Sequence, residues 1–324
     1  MRTRRSLLAL CLAVALAAPG VAAAYPDKPI RVVVPVVAGG STDLVARSFQ
    51  MAIEKLKALP QPMVIVNNGA AGGVVGTRMI KDAEPDGHTI GAWHMGLLTA
   101  PAMGVVEYDH TAYDLIAQVG AIPIGLAVKD DSPVKTVADL VAAAKARPGE
   151  VTAAMNVGLL PHFVPLMLAH ETGVKFRFVQ AGGGAVRLKS VLGGHTEFSL
   201  FSVPEFLSYT PSGIRPIVVF TDKRDPRVPN VGTTAESGFK LTFGERVMYL
   251  APKGVPAARM EVLRAAIRTA MADPELIAKL REQGVDPIYV PGPELKTQLD
   301  EQMVRIKAVA DEIKAAMAAE KKSN

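Results

Sequence analysis

Short runs of β-branched and other apolar residues alternate along this chain with longer stretches in which apolar positions recur every three or four residues. The first pattern belongs to strands and the second to helices laid on a sheet, so the alternation predicts an open α/β architecture. Strands are expected over 30–34, 63–66, 88–93, 125–128, 151–155, 175–179, 197–201, 214–220 and 247–251. Helices are expected over 42–58, 137–146, 162–171, 256–272, 274–283 and 293–316. The last helix puts Leu295, Leu299, Met303 and Ile306 on one apolar stripe and charges elsewhere, which predicts an amphipathic surface helix. Gly and Pro gather between these segments, where turn chemistry needs them, and no internal repeat or low-complexity tract interrupts them. At about 150 residues per domain, the length suggests two domains.

Four expected strands run into glycine-rich turns, the position at which open α/β sheets take up ligands. After the strand over 30–34 come Pro35, then Ala38, Gly39 and Gly40, then Ser41 and Thr42, where a helix opens. A helix start carries backbone N–H groups without intrahelical partners and the positive end of the helix dipole. With no side chain at Gly39 and Gly40, those donors can close on a carboxylate or phosphate, so capture of a small anion is the default reading. The second turn is NNGAAGGVVG over 67–76, the third MNVGLLPH over 155–162, and the fourth QAGGGAVR over 180–187. Four such turns from two halves point to one shared cleft. The plainer alternative, that each glycine supplies only a positive-φ turn, stays open for any single one.

The first residues fix where the protein works. Three arginines among residues 1–5, an apolar run over 6–18 and Ala22-Ala23-Ala24 form a secretory signal over 1–24, cleaved before Tyr25. The apolar run is short of the roughly 20 residues that span a bilayer, and no later run approaches that length. A soluble, exported, periplasmic protein is expected. The single cysteine, Cys11, lies inside the signal, and Leu8-Ala9-Leu10 lacks the small residue that lipoprotein processing requires just before it. Without cysteine past residue 24 there can be no disulfide framework and no thiolate metal site. The formal net charge of +5 includes the three arginines of the signal, so no nucleic-acid footprint is left once they are removed.

Enzyme readings find no support in the motifs. The six histidines include no pair at zinc-protease spacing: His170-Glu171 is followed by Thr172-Gly173-Val174. The run GGAVRLKS over 183–190 nearly matches a phosphate loop, but Leu188 stands where glycine must precede Lys189-Ser190. Ser41 lacks the G-x-S-x-G elbow of hydrolases. No catalytic group, cofactor or metal is expected.

Together, YPDKPIRVVVPVVAGGSTDLVAR, GAAGGVVGTRMIKDAEPDGHTI, YDHTAYDLIAQVG, DSPVKTVADLVAAAKARPGEV, RDPRVPNVGTTAESGF and APKGVPAARMEVL resemble the solute-binding proteins of tripartite tricarboxylate transporters, the Bug family. The similarity covers nearly all of the chain past the signal. It implies a type II periplasmic-binding-protein fold, a Venus flytrap of two lobes with a central ligand cleft. The chain would cross between lobes twice, with 25–125 plus 246–324 in lobe 1 and 126–245 in lobe 2. It also implies a small organic carboxylate as ligand and a membrane permease of the tripartite tricarboxylate type as partner. A monomer is expected. An orphan or sensory receptor, and more remotely a secreted α/β enzyme, are the competing readings.

Carried over by position, the family's first anion-cradling loop falls on Ala38, Gly39, Gly40, Ser41, Thr42 and Asp43, and the second on Ala70, Ala71, Gly72 and Gly73. Backbone N–H groups, hydroxyls and bridging waters would grip the carboxylate there, a geometry that needs no arginine. The opposite lobe would contribute Asn156, Gly158, Leu160 and His162, then Gln180, Gly182 and Gly183, with Ser202 completing the set. Asp43 near the helix start is read first as a cap and second as a partner for a ligand amine or hydroxyl. Trp93 and His94 would supply an aromatic wall and one titratable donor; a packed ring and a surface histidine are the alternative. Two departures from the family pattern, Asn156-Val157-Gly158-Leu159-Leu160-Pro161 and Gln180-Ala181-Gly182, strip polar or cationic groups from lobe 2. That favours a ligand with one carboxylate and an apolar or aromatic body over a tricarboxylate, whose extra charges would be buried unpaired.

Overall fold

Two sheets share one long strand. The computed structural model describes residues 25–239 and 241–323. The signal expected over 1–24, with Cys11, lies outside the described residues. β1 (Ile30–Val34), α1 (Ser41–Lys55), β2 (Met63–Asn67), α2 (Val74–Lys81) and β3 (Thr89–Trp93) form successive β-α-β units, with β1 parallel to both β2 and β3. α3 (Gly96–Ala102) leads to β4 (Tyr113–Lys129). A second series follows: α4 (Val137–Ala146), β5 (Thr152–Met155), α5 (Leu160–Thr172), β6 (Arg177–Gln180), α6 (Gly184–Leu192), β7 (Phe198–Ser202), α7 (Val203–Tyr209) and β8 (Ile214–Val219). The chain returns through β9 (Gly244–Pro252), α8 (Ala257–Met271), α9 (Pro274–Glu282) and β10 (Asp286–Pro291), and finishes in α10 (Gly292–Ser323).

The strand order β2-β1-β3-β9-β4 continues as β4-β7-β5-β6, with β10 and β8 also on β4. β4 pairs antiparallel with β9 from Tyr113 to Pro123, then from Ile124 onward with β7 and β8. It therefore carries the chain from the first lobe into the second. The return lies between β8 and β9, where the Phe243 N–H donates to the Phe220 carbonyl at 3.0 Å. These two crossings make the two-lobed binding-protein fold that the sequence implies.

β4 has 17 residues where the pattern predicts only 125–128. It is buried on both faces for most of its length, so no alternation marks it, and Gly120, Pro123 and Gly125 interrupt the run. Those residues fit local geometry. A register shift falls between Gln118 and Gly120, and a Cβ at Gly125 would sit 2.0 Å from the Val218 carbonyl oxygen of β8. β10, α2, α3, α6 and α7 are likewise absent from the expected elements. β10 contains two prolines and pairs with one neighbour only, as an edge strand.

Packing follows the amphipathic faces. α1 buries Val45, Ala46, Phe49, Ala52 and Ile53 against the first sheet, and the Phe49 ring meets Tyr249 edge to face at 5.5 Å. Each large apolar side chain so buried stabilises the fold by roughly 1.5–3 kcal/mol. α10 turns Leu295, Leu299, Met303 and Ile306 inward, as its sequence predicts. One apolar core runs from Val33, Trp93 and Leu115 of the first lobe to Phe163, Phe198 and Phe220 of the second. The lobes are thus packed together over the cleft.

Candidate functional site

The cleft holds a cavity of about 160 Å³. Its first-lobe wall is made by 35–37, 40–42, Gly69, Gly72, Trp93 and His94, and its second-lobe wall by Asn156, 159–161, Gly183, Gly184, Arg187, 200–202 and Glu205. Ile124 of β4 and Glu245 of β9 close it from the crossing strands. The lobes touch across it. Ser41 Oγ and Ser202 Oγ lie 3.2 Å apart, and a Cβ on Gly72 would come within 3.1 Å of Asn156 Oδ1. Gly72 also has φ +68, so both its conformation and its closeness to the second lobe call for glycine. Its neighbour Ala71 adopts φ 49, a left-handed conformation rare outside glycine and asparagine.

Three helices start at this cavity without a side-chain cap, and a fourth, α7, starts there capped by Ser202. α1 begins after Gly40, α5 after Leu159 and α6 after Gly183, and none of these N-caps has a side-chain cap hydrogen bond. Their first-turn N–H groups have no intrahelical acceptor, and each helix brings its positive end to the same hollow. The convergence favours a negatively charged guest from both lobes.

The side chains add a polar cluster at one end. Arg187 is only 7% exposed; Nη1 donates to the Gly182 carbonyl at 2.9 Å, and the guanidinium lies 5.6 Å over the Phe201 ring. Its Nη2 stands 3.8 Å from Glu205 Oε1, and burial lowers its pKa against the pull of Glu205, Tyr209 and Glu245. Burial, then the Glu205 charge, push the Glu245 carboxyl up to about 8, with Arg187 acting the other way. Burial, then the Arg187 charge, push His94 down to about 3. The Gly96 N–H donates to His94 Nδ1 at 3.0 Å, which places the imidazole proton on Nε2. His94 is therefore a neutral donor stacked on Trp93 at 3.8 Å. It is neither the titratable group nor the surface histidine that the sequence suggests.

Of the residues expected from the sequence, Gly40, Ser41, Thr42, Gly72, His94, Asn156, Leu160, Gly183 and Ser202 line the cavity. The others do not. Ala38, Ala70 and Ala71 lie in the same two turns but outside the lining, and Gly73 borders a smaller apolar void behind Trp93. Gly39 gives its N–H to Asp43 Oδ2 at 2.8 Å, so that amide is already engaged. Asp43 is buried off the cavity, bonded also to Arg47 and Asn67. Burial would raise its pKa, but bonds from Arg47, Gly39 and Asn67 hold it below the usual carboxylate range. It acts from the third position of α1, reaching back over the helix start.

The remaining second-lobe residues support the wall from behind. Gln180 bridges the Val157 N–H and Asn156, the Gly158 N–H donates to His162 Nδ1, and Gly182 engages Arg187. The expectation that lobe 2 lacks cationic groups is corrected by Arg187. Its position was legible in principle: Arg187 follows Gly183 by four residues, one helical turn, and so shares the cavity-facing side of α6. Glu245 carried no comparable signal, because only the crossing of β9 past β4 brings it to the cleft.

A family model described as the tripartite tricarboxylate transporter family receptor matches residues 45–315. The chain is 29% identical over 329 residues to a UPF0065 protein from the gbd 5′ region of Cupriavidus necator, covering 98% of this chain and 100% of that protein. It is 29% identical to protein BugT of Bordetella pertussis, over 84% of this chain and 85% of BugT. Among solved structures, the periplasmic binding protein BugD has a TM-score of 0.82 at 26% identity, covering 89% of this chain and 98% of BugD. MatC from Rhodopseudomonas palustris with bound malate has a TM-score of 0.78 at 26% identity, covering 88% and 100%.

Proposed function

The chain belongs to the tripartite tricarboxylate transporter receptor family, and from that membership we propose that it captures a small organic carboxylate between its lobes for a permease of the tripartite tricarboxylate type. The family and its structural neighbours are solute-binding proteins, not enzymes. BugD is a periplasmic binding protein, which supports the periplasm as the place of action. The observation that carries the reading is the convergence of three uncapped helix starts, from both lobes, on one cleft cavity.

The guest's carboxylate rests against the first turn of α1, at Gly40, Ser41 and Thr42, and against the turn at Gly69 and Gly72. Trp93, Ile124, Leu159, Leu160 and Leu200 give it an apolar surround, which suits a mono- or dicarboxylate with a compact hydrocarbon body. MatC, with its bound malate, supports that class. Closure then signals occupancy: the permease meets a shape that the loaded receptor holds far more often than the empty one, because a ligand shifts the lobes by its differential affinity for the closed form. The lobes divide where β4 and β9 cross, with 25–125 and 246–324 in the first and 126–245 in the second.

A thermal-shift screen of aliphatic and aromatic carboxylates tests the reading. A cognate acid at a hundred times its Kd adds about 2.7 kcal/mol of apparent stability, a rise easily seen in the melt. A screen in which no carboxylate moves the melt, while another ligand class does, overturns it.

A further inference from the structure

We propose that Arg187 and Glu245 form a second recognition subsite, which reads an acid group at the end of the ligand remote from the 40–42 and 69–72 turns. The proposal rests on the carboxylate-receptor reading and narrows it to short diacids.

The unmet needs around the cavity are those of donors. A guanidinium has five N–H donors. Arg187, more than nine-tenths buried, spends one on Gly182, leaves Nε without a partner, and stands too far from Glu205 for a hydrogen bond. Trp93 Nε1, on the opposite wall, is also unpartnered. Glu205 meets it only as an ion pair, Oε1 standing 3.8 Å from Nη2, while its Oε2 is held by the Ser202 N–H at 2.8 Å and the Ser202 hydroxyl at 3.0 Å. A buried, under-satisfied guanidinium calls for an oxygen-rich anionic guest.

Glu245 decides between an acid and an amine at this end. The groups facing it are His94, with Nδ1 at 3.8 Å, and Arg187 and Glu205 from the second lobe. Arg246, next along β9, turns instead to Gln118 and Gln298. With His94 neutral and Glu205 a like charge, Glu245 holds its proton in the closed cleft, as its raised pKa reflects. Protonated, it is an O–H donor beside the arginine, and the two together fit a carboxylate. An ammonium would instead confront Arg187 and require Glu245 to ionise. Capture of a diacid is therefore linked to one proton: affinity is level while Glu245 of the free receptor is protonated and falls as pH rises past that point, where closure must take up a proton to keep Glu245 neutral.

Titration calorimetry with succinate and glutarate, the matched monoacids butyrate and valerate, and γ-aminobutyrate tests this. The diacids are expected to bind roughly tenfold to a hundredfold tighter than their monoacids. In Arg187→Gln, checked for folding by its melt, that ratio collapses toward one. Past the pH at which Glu245 of the free receptor ionises, the wild-type diacid affinity drops by up to about tenfold per pH unit, and Glu245→Gln, which keeps a neutral donor but cannot ionise, abolishes the drop. Monoacids that match diacids, a ratio that survives Arg187→Gln, or preferred binding of γ-aminobutyrate overturns the subsite and leaves the receptor reading standing. Failure of every acid to bind overturns both.

Discussion

Gly40 and Gly72 both line the cavity, yet a side chain at each has a different fate. Gly40 has φ −74 and ψ 161, and a Cβ there meets nothing closer than the Val37 carbonyl oxygen at 3.5 Å. Aspartate is a preferred N-cap, so Gly40→Asp is expected to leave stability unchanged or raise it by a few tenths of a kcal/mol, roughly, while placing a carboxylate where the ligand's would sit. Binding should be lost without loss of fold. Gly72→Asp must hold φ +68 and press on Asn156, so it is expected to cost about 1–2 kcal/mol and prop the lobes apart. Melts and calorimetry on the pair separate the effects; equal destabilisation by both would contradict the N-cap geometry. Glu245 gives a pH signature at the same scale. Its folded pKa is raised, so its contribution to stability is full below the unfolded value near 4.5 and is lost as pH rises toward about 8. Glu245→Gln should therefore melt higher than wild type at pH 8, by on the order of a few kcal/mol, and gain little at pH 4. A loss of stability in Glu245→Gln at pH 8 would mean that Glu245 is ionised and paired rather than protonated.

At the level of elements, the sequence was most legible where one face is buried and least where both are. α1, α4, α8, α9 and α10 announce themselves by period, and the strand starts of the β-α-β units by β-branched runs ending in glycine turns. β4 shows neither signal, because it lies inside two sheets and carries the glycines that let neighbours approach. The same logic governs the site. The Gly40–Thr42 and Gly69–Gly72 turns were readable because glycine is a local requirement of a local shape, whereas Glu245 reaches the cavity only through pairing of β9 with β4. Gly125→Ala tests how tightly β4 is held. A methyl group 2.0 Å from the Val218 oxygen must force β8 away, with an expected cost of about 1–3 kcal/mol in urea unfolding. A neutral substitution would mean that β8 gives way freely.

For the whole molecule the question is what sets the balance between open and closed cleft. β4 and β9 join the lobes, but α10 also bridges them. It packs on β4, β10 and α3 and reaches α5 of the second lobe, where His170 Nε2 lies 3.2 Å from Glu312 Oε2 and Ile306 sits with Phe163 and Met167. A helix anchored on both sides must bend, slide or release one anchor when the cleft opens. Its second-lobe contacts therefore belong to the closed state and lower its energy relative to the open one. Ile306, 3% exposed, is the apolar centre of that contact. Ile306→Ala is expected to cost about 2–5 kcal/mol of core stability and, by disfavouring closure, to weaken ligand binding through a smaller closed fraction. X-ray scattering of the unliganded variant should show a larger radius of gyration than wild type, restored by saturating ligand. If stability falls while affinity and radius stay at wild-type values, α10 rides with both lobes unchanged and closure is governed by β4 and β9 alone.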